Sequence, residues 1–223
     1  MSIASHLSSL DLAFSSVRSN GLFVMGAFHP TANDNTPIGT KTLVLLGPKE
    51  PDFWKTVCTA PEFKDDLPNP LDRWSVRVIG DMARQVDGTA LFPFDGPPYS
   101  PFAQWALRSG RSWQSPIGLL VHDVAGLFAS FRGAIALSKT IDLPEKKASP
   151  CDDCDETPCL TACPAEALTG DGYDLTSCHS YLDTLPGQAC MTLGCAVRRA
   201  CPVSQTFGRL PVQSEFHMRA FHT

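Results

Sequence analysis

The stretch Cys151-Asp-Asp-Cys154-Asp-Glu-Thr-Pro-Cys159-Leu-Thr-Ala-Cys163-Pro164 decides how the rest of the chain is read. Its spacing is C-x2-C-x4-C-x3-C-P. A second group follows, Cys178, Cys190, Cys195 and Cys201-Pro202, so eight of the nine cysteines crowd into residues 151–201. Cys58 stands alone and reads as a small buried hydrophobe rather than a ligand. Such crowding points to disulfides in a secreted domain or to metal in a reducing compartment. The start of the chain has no basic n-region, apolar core or small-residue cleavage site, so no secretory signal is expected. No run of about eighteen apolar residues suggests a membrane span. The expected address is the cytoplasm, which favours metal over disulfides.

Charge divides along the same line. Residues 1–150 hold fourteen basic and fourteen acidic side chains, whereas residues 151–223 hold four against nine. The whole net charge of −5 therefore sits with the cysteines. That balance disfavours nucleic acid and suits a basic protein partner, such as an electron donor or reductase; a merely well-solvated surface is the other reading.

Four-cysteine zinc sites use C-x2-C pairs, and here only one occurs. The bacterial ferredoxin run is C-x2-C-x2-C-x3-C-P, whose fourth cysteine ligates the other cluster. This chain matches it with a second gap two residues longer, and its second group also supplies four thiols ending in Cys-Pro. Three closely spaced thiolates cover three corners of an iron–sulfur cubane, and the fourth comes from elsewhere. Crossed ligation by that rule assigns Cys151, Cys154, Cys159 and Cys201 to one [4Fe–4S] cluster. It assigns Cys163, Cys178, Cys190 and Cys195 to the other. Proline after the last cysteine of each group is placed to open a short helix, at Ala165–Leu168 and Val203–Phe207. Structural zinc remains the alternative.

Upstream, apolar periodicity predicts a helix over Leu7–Val17, closed by Asn20-Gly21. Gly21–His29 reads as a strand, Pro30–Thr40 as a loop, and Thr42–Gly47 as a buried central strand. Pro51 opens a helix through Thr59. Asn69-Pro70 opens a longer one with Leu71, Trp74, Val78, Ile79, Met82 and Val86 on one face. Ala90–Phe94 is a strand, Phe102–Arg108 a helix ending at Gly110, and Ile117–His122 and Phe128–Leu137 two more strands. Lys139–Pro150 is the expected linker. The interleaving predicts an α/β or α+β domain over residues 1–143 and a small metal domain over 144–223. No G-x-G-x-x-G or P-loop fingerprint occurs.

Several segments add a family resemblance. Cys178-His-Ser-Tyr181-Leu182 is similar to the Cys-x-Ser-Tyr-Leu that follows the first ferredoxin motif of epoxyqueuosine reductases. Asp95-Gly-Pro-Pro, with the helix to Gly110, resembles their Asp-Ser-Ala-Pro segment. Ile117–His122 and Gly126-Leu-Phe-Ala-Ser-Phe-Arg-Gly-Ala134 resemble the next strand pair, also found in cobalamin-trafficking chaperones. The order of domains resembles corrinoid-dependent reductive dehalogenases as well. The resemblance implies an α+β architecture: a nitroreductase-like α/β sandwich holding a corrinoid, followed by a ferredoxin-type domain with two [4Fe–4S] clusters. It implies reductase activity on a small-molecule substrate, with Asp95 as catalytic proton donor and His122 and Arg132 at the cobalamin.

Each of these three has a plainer reading: Asp95 in a turn, Arg132 in a strand-end ion pair, His122 as a satisfied core or loop histidine. The longer C-x4-C gap and the missing C-x2-C in the second group depart from epoxyqueuosine reductases. So does the lack of their helical repeats after Cys201, and with no basic surface run a tRNA substrate is not expected. A ferredoxin-like carrier without a catalytic cofactor, and a zinc-stabilised interaction module, stand beside the reductase.

Overall fold

The computed structural model describes residues 16–143 and 145–222. The helix expected over Leu7–Val17 lies outside the described residues except for its end, where helical residues 16–19 close at Gly21. The chain forms two compact units. One runs to Arg111 and resumes over Ser130–Lys146; the other comprises Ser112–Ala129 and Lys147 onward. The chain therefore crosses between units three times, whereas the sequence suggested a single boundary near residue 143.

The first unit is built on an antiparallel sheet of β1 (Leu22–Phe28), β2 (Thr42–Pro48), β3 (Thr89–Leu91) and β6 (Gly133–Leu137), in the order β1-β2-β6-β3. Every residue of β2 and β6 is buried. Burial without alternation means that both faces of the inner strands are covered. A bulge shifts the β1–β2 register between Val24 and Gly26. The fold is thus mixed α+β with antiparallel pairing.

Helix α1 (Asp52–Thr59) starts directly after Pro51. It buries Phe53, Trp54 and Val57 but leaves Cys58 exposed, against the expectation of a buried thiol. Helix α2 (Pro70–Gln85) carries Pro70 at its first turn and buries Leu71, Trp74, Val78, Ile79 and Met82 along one stripe, as 3.6-residue periodicity dictates. It packs on β3 and β6, where Gly133 lets Ile79 and Phe92 approach the strand closely. Trp74 meets Phe53 edge to face at 5.5 Å between ring centres. Helix α3 (Phe102–Arg108) follows and packs on β1.

Three expected strands are shorter than drawn. Pro93 has no N–H to continue a ladder, so β3 ends at Leu91. Ile117–His122 narrows to β5 (Leu120–His122), because Gly118, at φ +76°, makes the turn that pairs β5 with β4 (Ser112–Gln114). The last expected strand contracts to β6, after a turn through Gly126 at φ +57°. The two segments that resembled a strand pair thus join different sheets.

The second unit consists of the β4–β5 hairpin and short pieces: β7 (Leu168–Thr169), β8 (Gly172–Tyr173), α4 (Leu175–Leu182), α5 (Gln188–Leu193), α6 (Ala196–Ala200), α7 (Pro202–Thr206) and α8 (Pro211–Phe221). Pro202 opens α7 as expected. The helix expected at Ala165–Leu168 is absent: Glu166 takes φ +51°, which breaks helical propagation, and Leu168 enters β7. Among the described residues no helix is long and apolar enough to cross a membrane.

Candidate metal centre

All eight clustered cysteines lie in the second unit, and most meet its apolar core. Cys159 and Cys201 pack with Ile117, Val121, Leu127, Leu168 and Val197, and Cys151, Cys163 and Cys195 lie against that cluster. The β4–β5 hairpin therefore lines the thiols with Ile117 and Val121. It is held at Gly126, whose close approach to Ser204 leaves no room for a Cβ. The Leu127 N–H donates to Ser204 Oγ at 2.8 Å, and Arg198 donates to the Leu127 carbonyl at 2.5 Å.

Local structure presents each thiol in its own way. Cys151 and Cys154 sit on a turn in which the Ser149 N–H donates to Asp152 Oδ2 and Ser149 Oγ accepts from the Cys151 N–H. Cys159 occupies a single 3-10 turn after Thr157, at φ +36°. Cys178 lies within α4, whose N-cap Asp174 accepts from the Ser177 N–H at 3.0 Å. Cys190 is buried on α5. Cys195 and Cys201 are the N-caps of α6 and α7. Gly194, at φ +89°, lets the chain between α5 and α6 lie against Ser214 of α8.

Burial pushes up the thiols of Cys151, Cys159, Cys178 and Cys190, and repulsion between neighbouring thiols adds to it. The repelling neighbours fall into two sets. Cys151 answers to Cys201 and Cys154, and Cys159 to Cys151, Cys201 and Cys154. Cys178 and Cys190 answer to Cys163 and Cys195. Cys201 thus stands with the first sequence group and Cys163 with the second. Polar hydrogens also point at the sulfurs. The Ala196 N–H favours the thiolate of Cys190, and the Tyr173 hydroxyl lies 3.3 Å from Cys178 Sγ. Burial, then the contact with Cys178, pushes the Tyr173 phenol far up.

Among the described residues no three His, Cys, Asp or Glu side chains converge tightly enough to hold one metal ion. A tetrahedral zinc with Zn–S bonds of about 2.3 Å needs its sulfurs within about 4 Å of one another. A cubane carries each thiolate on a separate iron, so its four ligands stand farther apart. Eight soft thiols in apolar surroundings, with N–H and O–H donors aimed at sulfur, would suit the chemistry of iron–sulfur ligation.

The three residues singled out for a corrinoid are divided between the units, Asp95 and Arg132 in the first and His122 in the second. Asp95 lies on an exposed turn between β3 and α3. Arg132 belongs to the first unit, where its guanidinium lies 3.5 Å from Asp72 on α2. Burial pulls the Arg132 guanidinium down and pushes the Asp72 carboxyl up, with their mutual attraction opposing both. His122 belongs to the second unit and is fully buried. Its Nδ1 accepts from the N–H groups of Val124 and Ala125 at 3.0 and 3.2 Å, so that nitrogen ties down a turn. Asp123 Oδ1 also approaches it at 3.2 Å. A nitrogen that accepts two amide hydrogens carries no proton, so we read no ion pair there; Asp123 pairs with Lys147 at 2.8 Å.

Sequence reasoning did not single out Tyr173, Arg198 or Arg199. The available signal was position: Tyr173 closes the turn at Gly172 five residues before Cys178, and the two arginines sit between Cys195 and Cys201. A scan against protein-family models finds no match to the chain, and a search of curated proteins finds none either.

Proposed function

We propose that this chain is an iron–sulfur redox protein whose second unit holds two [4Fe–4S] clusters and carries electrons. The observation that carries the reading is that the clustered thiols gather in one unit, five of them at or against one apolar cluster, with neighbours that match the two sets of four in crossed ferredoxin-type ligation. Bound clusters would supply one-electron transfer. The chain's own residues would ligate the irons, exclude water with Ile117, Val121, Leu127 and Val197, and offset the clusters' negative charge through N–H and O–H donors.

On this reading the second unit is a ferredoxin-type module and the first its nitroreductase-like companion. The carrier role is favoured over a corrinoid-dependent reductase by one observation. Arg132 is engaged by Asp72, His122 Nδ1 by its own turn, and Asp95 lies on an exposed turn.

Anaerobic reconstitution with iron and sulfide tests the reading. About eight irons per chain and a broad absorbance near about 400 nm, bleached by dithionite, are expected. Protein that takes up only zinc, or whose thiols pair as disulfides, overturns it. Added cobalamin whose corrin bands change would restore the reductase over the carrier.

A further inference from the structure

The two thiol sets stand in contrasting electrostatic surroundings. Beside the first runs the exposed acidic turn Asp152, Asp153, Asp155 and Glu156, and the Asp152 charge acts on Cys151. The first set has donors too, the Ser149 side chain at Cys151 and a backbone N–H at Cys159, but they sit beside those carboxylates, whereas the second is met by donors and a cation. Arg199, anchored on the Gly194 carbonyl at 3.0 Å, acts on Cys190. The Tyr173 hydroxyl lies 3.3 Å from Cys178 Sγ. A ligating thiolate only accepts, so there the hydroxyl donates.

Tyr173 is also held in place. Its ring stacks on Phe221 of α8 at 6.4 Å, and Phe221 stacks on His179 of α4 at 4.7 Å. His222 closes the assembly, with Nε2 2.9 Å from Asp183 and Nδ1 2.7 Å from His179 Nδ1. With Nε2–H of His222 donating to Asp183, its Nδ1 accepts from His179. This chain fastens the end of α8 to α4, the helix that bears Cys178.

Hydrogen bonds and positive charge at cluster sulfurs favour the reduced, more negative state, and nearby carboxylates disfavour it. We propose that Tyr173, backed by Phe221, is a positioning donor that makes the centre held by Cys163, Cys178, Cys190 and Cys195 the higher-potential one of the two. The inference rests on the two-cluster reading above.

The test is a redox titration of the anaerobically reconstituted full chain, followed by electron paramagnetic resonance, with iron and sulfide counted on the same sample. Wild type should show two midpoints. Tyr173→Phe should lower the upper one by about tenfold in equilibrium constant, about 59 mV for one electron, and leave the lower unmoved. Asp152→Asn, on an exposed turn, should raise only the lower one, and it reads the same ordering should Tyr173→Phe not retain its iron. A full iron count with one shared midpoint, with Tyr173→Phe moving the lower centre or neither, or with Asp152→Asn moving the upper, overturns this inference and leaves the iron–sulfur reading standing. A wild-type chain without iron overturns both.

Discussion

The two units bury apolar surface by different means. The first has long elements: seven-residue strands, a sixteen-residue helix, and large side chains such as Trp74, Phe53 and Trp105 with no more than 1 % exposure. The second has strands of two or three residues and helices of five to eleven, and two of the seven residues at the centre of its apolar cluster are cysteines. A small core of short elements gains little from hydrophobic burial and leans on cross-links or metal. On the two-cluster reading, the contrast is between a fold carried by its own apolar core and one that would depend on its ligands.

The largest effect should come from removing iron. Chelation under reducing conditions should free the amide hydrogens of Lys147–His222 and of the β4–β5 hairpin to exchange, while β2, β6 and α2 keep their protection. Equal loss in both units would erase the distinction. Next are the crossing cysteines. Cys163→Ala should remove the centre that also uses Cys178, Cys190 and Cys195, and Cys201→Ala the other, each leaving about half the iron. If Cys163→Ala instead abolishes the centre of Cys151, Cys154 and Cys159, ligation is uncrossed.

Trp74→Ala should cost about 4 kcal/mol of stability in the first unit by opening a cavity against Phe53, with the iron content unchanged. Denaturant unfolding monitored alongside iron analysis decides it. The smallest effect concerns pH. The Arg77 side chain, bonding to Glu62 at 2.5 and 3.0 Å, holds the Glu62 carboxyl below its usual value of 4.5. A depressed folded-state value means that the contribution is present above the ordinary carboxylate range and is lost as pH falls through it. Glu62→Gln should therefore lower stability by about 1 kcal/mol at neutral pH, a modest amount because Arg77 is half exposed. The difference from wild type should vanish in acid, and a difference that persists below the carboxylate range would exclude the ion pair.

Helix α2 could be read from Asn69-Pro70 and its apolar stripe, and β2 from the run Leu43–Leu46, because a long element averages many weak preferences. The β4 strand was not legible, since Ser112, Trp113 and Gln114 have no periodic signature and pair only because Gly118 turns the chain back. Exposed Cys58 was misjudged for a related reason: one residue on a helix edge is buried or not according to its neighbours, not its type. Tyr173 carried no chemical motif at all. Its nearness to Cys178 depends on the β7–β8 turn and on α8, whose Phe221 comes from far along the chain.

Sequence alone determined that helices and strands are mixed, the confinement of eight thiols and the whole net negative charge to the last third, and the spacing that separates them into two groups. These are properties of composition and local order, which need no folded neighbour. Only the tertiary structure decided that the β4–β5 hairpin packs with the cysteines and that Arg132 is met by Asp72. Each is a contact between distant residues, set by which apolar surfaces bury one another, and no local pattern encodes that.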